Sequence, residues 1–91
     1  MRYFIGIDVA KFKHTACVID TDGIALVEPF DFTNDIIGFQ SLLKNIKPFL
    51  KKKHLIGMED TGHYGDNLRN FLLEKQYKVV MLNPIVTSHI R

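Results

Sequence analysis

The chain has 91 residues, 46% of them hydrophobic, with seven phenylalanines and three tyrosines, which suits one small packed domain and excludes both a disordered segment and a two-domain protein. A net charge of +2 is too close to neutral to argue for a nucleic-acid partner, and the single cysteine, Cys17, excludes an intrachain disulfide. No apolar run approaches a membrane span, and Asp8 arrives too early for a signal-peptide core, so the expectation is a soluble, cytoplasmic protein without a membrane partner.

Arg2 to Ala10 is rich in β-branched and aromatic residues and apolar on both alternating faces, the pattern of a strand in the middle of a sheet. Thr15 to Asp20 is predicted as a second strand and Ile24 to Phe32 as a third, joined by a hairpin at Asp22-Gly23, where glycine accepts positive φ without steric cost. Pro29 places the third strand at an edge or a bulge. Thr33, Asn34 and Asp35 offer N-cap chemistry to a helix whose apolar stripe runs through Ile36, Phe39, Leu43, Ile46 and Leu50. Pro48 should end or kink that helix near Asn45 to Lys47.

His54 to Glu59 reads as a fourth strand, followed by a turn at Thr61-Gly62 with Thr61 as a cap. A second helix is expected from His63 to Gln76 and a fifth strand over Lys78 to Leu82, closed by Asn83-Pro84. The order is βββαβαβ. Helical crossovers require the first, fourth and fifth strands to run parallel. The expected architecture is α/β, ribonuclease-H-like, with a mixed five-stranded sheet in the order 3-2-1-4-5.

Asp8 is the most informative residue, a carboxylate in a strand otherwise suited to burial on both faces. Burying it unpaired costs several kcal/mol, so a metal, a basic neighbour or water must compensate. An ion pair with Lys11 or Lys13 is the structural alternative to a metal. Glu59 ends the fourth strand; if that strand lies parallel beside the first, both acids emerge at one sheet edge, where open α/β sheets bind ligands. Such a pair suits Mg²⁺ or Mn²⁺, hard cations that take oxygen ligands. Asp60 should point to the other face and serve the dipole of the following helix.

The remaining candidates are weaker. His63 could face the site from its helix start, and His14 less readily; Cys17 reads as a small core residue. Ser41 and Ser88 have no base beside them, and Tyr64, Asn67 and Arg69 suit structural roles on the second helix. Lys44, Lys47, Lys51, Lys52 and Lys53 form a basic cluster. It is read as a solvated helix end that favours the C-terminal dipole, with phosphate contacts as the alternative.

The chain resembles the DEDD-type insertion-sequence transposases related to the pilin-gene invertase Piv. The resemblance rests on Gly6-Ile7-Asp8-Val9-Ala10-Lys11 with His14, on Asn34 to Leu43 with its Gly38-Phe39 pair, on Gly57-Met58-Glu59-Asp60-Thr61-Gly62-His63-Tyr64, and on Val79 to Pro84. It implies a RuvC-like catalytic domain whose three aspartates and one glutamate bind Mg²⁺, with Asp8 matching the first aspartate and Glu59 the glutamate. The other two aspartates belong to a Lys-Thr-Asp-x-x-Asp-Ala-like segment, which this chain does not reach by Arg91. Asp60 departs from the small residue or proline expected after the glutamate.

Residues 1–91 are therefore expected to be one partial catalytic domain, the N-terminal part of a longer transposase, ending before the last helix of the fold and before a serine-bearing C-terminal domain. The implied activity is DNA strand cleavage and transfer, with DNA as partner and an element-encoded non-coding RNA as a further one. Alone, the fragment should be inactive for want of half its ligands, and it should self-associate to bury the uncovered sheet face. Two rivals stand beside this reading. One is an ATPase of the acetate-kinase, sugar-kinase or actin type, which needs a glycine-rich turn where Val9-Ala10-Lys11-Phe12 stands. The other is a non-enzymatic nucleic-acid- or protein-binding module.

Overall fold

The computed structural model describes residues 2–82. In chain order the elements are β1 (Tyr3–Asp8), β2 (Lys13–Asp20), β3 (Ala25–Thr33), α1 (Ile36–Leu50), β4 (His54–Glu59), α2 (Asp66–Glu74) and β5 (Val79–Leu82). The five strands form one mixed sheet in the order β3-β2-β1-β4-β5. β1 pairs antiparallel with β2 and parallel with β4, and β5 is parallel to β4. The α/β class, element order and strand order agree with the sequence reading.

β1 stops at Asp8 rather than Ala10 because the Ala10 N–H, which would continue the ladder with β2, donates instead to His14 Nδ1 at 3.1 Å; on the other side the Val9 N–H still donates to the Glu59 carbonyl at 3.0 Å. β2 begins two residues earlier than expected, since Lys13 and His14 already pair with Thr33 and Phe32. The Asp-Gly hairpin forms as predicted, with Gly23 at φ 79° and the Asp20 carboxylate accepting from the N–H groups of Asp22 and Ile24. Pro29 lies in the edge strand β3, beside a register shift that sets both Glu28 and Pro29 against Cys17, so its missing N–H breaks no regular ladder.

Both helices cover one face of the sheet. Ile5, Ile7, Ala16, Val18, Ile56 and Met58 point there and are buried against Phe39, Leu42 and Ile46 of α1 and Leu68 and Leu72 of α2. The rings of Phe39 and Phe71 join the helices at 5.3 Å. Asp35 is the N-cap of α1, its carboxylate accepting from the Gly38 N–H at 2.8 Å. That bond, followed by one from the Thr33 hydroxyl, holds the Asp35 carboxyl below its ordinary pKa.

Two helix boundaries correct the sequence reading. α1 runs through Pro48 to Leu50. The proline falls in the last turn, and the Phe49 ring beyond it packs on Tyr3 at 5.2 Å, so tertiary contact holds the turn that propensity alone would end. α2 starts at Asp66, not His63, and Thr61 does not cap it. The Asp60 carboxylate instead accepts from the N–H groups of Tyr64 and Gly65, and His63 takes a left-handed φ of 62°, which delays the helix. At its other end Gln76 is also left-handed, with Gln76 and Tyr77 N–H groups returning to the carbonyls of Leu73 and Leu72 in a Schellman motif. The expected Asn83-Pro84 turn and Ser88 lie outside the described residues.

Candidate functional site

The face of the sheet that is helix-free among the described residues carries Phe4, Gly6 and Asp8 of β1, Thr15 and Cys17 of β2, and Gly57 and Glu59 of β4, around a depression of about 300 Å³. Strand alternation makes this assignment: the residues between these fill the covered core. Gly57 is a close approach, since a Cβ there would lie 3.0 Å from the Phe4 ring and 3.2 Å from Leu82. Cys17 is thus a half-buried residue of the helix-free face, not of the core; Ala16 and Val18 take the core positions.

Asp8 and Glu59 are register partners at the C-terminal ends of parallel β1 and β4. Partners in parallel strands point to the same side, and neighbouring strands lie about 4.8 Å apart. Asp8 is exposed and Glu59 half-buried, so both reach solvent. Among the described residues neither carboxylate joins a hydrogen bond or an ion pair. The two lysines that could have neutralised Asp8 are engaged elsewhere. Lys13 pairs with Asp31 at 3.2 Å, and the Lys11 ammonium lies 5.1 Å from the centre of the Phe12 ring.

The row continues beyond the pair, through register partners Thr15 on β2 and Asp31 on β3. The Thr15 hydroxyl donates to Asp31 at 2.6 Å; this bond, and then Lys13, hold the Asp31 carboxyl below its ordinary pKa. Sequence reading missed Asp31 because only the β2–β3 register aligns it with Asp8. It also missed Asn34, whose amide donates to the carbonyls of Lys11 at 3.2 Å and Tyr64 at 3.4 Å. One side chain thereby joins the loops that follow Asp8 and Glu59.

The other candidates fall away from the rim. Asp60 points to the covered side, as alternation requires, and serves the entry to α2. His63 is exposed in the same loop and does not line the depression. His14 is fully buried; Nδ1 accepts the Ala10 N–H, Nε2 has no partner among the described residues, and the ring packs between Phe32 at 5.4 Å and Phe39 at 6.5 Å. Among the described residues no group of three or more His, Cys, Asp or Glu side chains is arranged to hold a metal; Asp31, further along the row, is engaged by Thr15 and Lys13.

Fold and rim together define an α/β protein whose adjacent parallel strand ends carry a pair of carboxylates that form no ion pair among the described residues. The chain belongs to the DEDD_Tnp_IS110 transposase family, whose model matches residues 5–91. No match was found among curated proteins. Solved structures similar to it include three from Aquifex aeolicus. They are the type II variant of the Ppx/GppA phosphatase (10% identity, 92% of this chain and 36% of that one, TM-score 0.49), a Ppx/GppA family member (12%, 91% and 35%, 0.43) and a PPX-GPPA enzyme (9%, 91% and 36%, 0.41). The chain spans about a third of the length of these structures, and similarity at this level carries no weight for activity. No helix among the described residues is long and apolar enough to cross a membrane.

Proposed function

We propose that the chain is the N-terminal part of a ribonuclease-H-like (RuvC-like) transposase catalytic domain that acts in metal-dependent DNA strand cleavage and transfer. The observation that carries this reading is the register pairing of Asp8 with Glu59 on one face, with no ion pair to either among the described residues. Two oxygen-donor groups reaching solvent across one strand spacing fit Mg²⁺ or Mn²⁺, hard cations that take oxygen ligands. When bound, divalent ions of this kind stabilise charge on the attacking and leaving oxygens of phosphoryl transfer. Asp8 and Glu59 would hold the ion. Asn34 keeps the loops behind them together, and the Val9–Glu59 backbone bond extends the β1–β4 pairing past the rim. DNA is the proposed substrate, with an element-encoded non-coding RNA and further copies of the chain as partners of the whole protein.

The ATPase reading requires free backbone N–H groups after Asp8 to approach phosphate. The first two, of Val9 and Ala10, are already donated to Glu59 and His14, which favours the transposase reading. The test is Mn²⁺ binding by calorimetry on the unaltered chain, Asp8→Asn and Glu59→Gln. The unaltered chain should bind and each variant should lose at least tenfold in affinity. Equal binding by all three would reject the metal site, and stabilisation by ATP would support the rival.

A further inference from the structure

We propose that the groove between the C-terminal ends of α1 and α2 binds the phosphate backbone of duplex DNA, away from the carboxylate rim. Lys44 and Lys47 of α1 and Lys75 at the C-cap of α2 converge there around Leu43, Leu50 and Tyr77, enclosing about 410 Å³. Residues about thirty positions apart are brought to one place only by the packing of the two helices.

The charge around the groove is one-sided. Between Asp35 and Glu59 the chain has five lysines and no acid, and none of the described residues lining the groove is acidic. Glu74 is the one acid next to it in sequence, and among the described residues none of the three lysines forms an ion pair. A helix-dipole role would account for Lys47 and Lys75 singly, each on its own helix. It gives no reason for them to share a groove with Lys44.

Shape points to a polymer backbone. Lys44 and Lys47 are three residues apart on one helix face, with Cβ atoms about 5–6 Å apart. Phosphates of one strand advance about 3.4 Å each along the duplex axis, so the flexible lysine stems can reach neighbouring ones. Lys75 is steadied by its ammonium lying 5.0 Å from the centre of the Phe71 ring. The groove lies at the start of the strands: Phe49 packs on Tyr3, and the Tyr3 N–H donates to the Lys53 carbonyl. With β1 running from Tyr3 to Asp8, this end is roughly 17 Å from the rim. DNA held there is contacted apart from the reacting phosphate.

The choice of DNA rests on the transposase reading, but the groove does not depend on the metal site. The test is therefore run without divalent ions, so that a failure at the rim and a failure here are told apart. Fluorescence anisotropy of a labelled 20-base-pair duplex (about two helical turns) is measured on the full chain between about 50 and 200 mM salt. The charge-reversed K44E/K47E/K75E protein should bind on the order of 100-fold more weakly at the lower salt, with the slope of log K against log salt smaller by about three. The single variants Lys44→Ala and Lys75→Ala should each lower the slope by about one. Reversal of Lys51, Lys52 and Lys53 serves as the control for diffuse charge and should have less than half the effect of the groove triple. The proposal is overturned if the unaltered chain does not bind, if the groove variants bind as it does, or if the control matches them. Tighter binding of an RNA of the same sequence would overturn DNA as the occupant.

Discussion

The two faces of the sheet are built from the same strands and do opposite work. On the covered face Ile5, Ile7, Val18, Ile56 and Met58 are sealed under two helices, each large aliphatic side chain contributing about 1.5–3 kcal/mol by leaving water. On the other face the alternate residues are Phe4, Gly6, Asp8, Cys17, Gly57 and Glu59, ending in two carboxylates that form no ion pair among the described residues. The difference shows how a short domain separates stability from chemistry: a period of two sends one set of residues to the core and the next to the site.

That division can be broken or sharpened by substitution. The largest effect is expected from Leu42→Ala, which empties a fully buried position under the covered face and should cost about 2–5 kcal/mol in denaturant unfolding. A loss below about 1 kcal/mol would mean that this face does not hold the fold. Gly38→Ala comes next. Its Cβ would collide with the Thr33 backbone, where the start of α1 is clamped to β3, and a loss of about 1–3 kcal/mol or more is expected by thermal melting.

On the helix-free face the same measurement should hardly move. Asp8→Asn and Glu59→Gln should change stability by no more than about 0.5 kcal/mol while lowering Mn²⁺ affinity. A large loss of stability would show that the carboxylates belong to the fold and not to a separate site.

The smallest effect is in acid. Asp31 and Asp35 have carboxyls held below their ordinary pKa in the folded chain, so the stability they contribute is complete above the unfolded value near 3.9 and is lost as pH falls through the lower folded values. Thermal melting should therefore weaken below about pH 4, and Asp31→Asn with Asp35→Asn should flatten that part of the curve. An unchanged curve in the double variant would remove both hydrogen-bonded carboxylates from the account.

Neighbouring residues were enough to determine the order of elements, the Asp22-Gly23 hairpin, the edge or bulge position of Pro29 and the strand-end placement of Glu59. Each follows from local periodicity, turn chemistry or the crossover rule. Tertiary structure alone decided that α1 continues through Pro48, that Cys17 faces away from the core, that Asp31 and Thr15 extend the acidic row, that Asn34 joins two loops and that Lys75 meets Lys44 and Lys47. These features depend on register between strands and on the docking of helices. No window of adjacent residues encodes either one, because the partners are brought together only when the core closes.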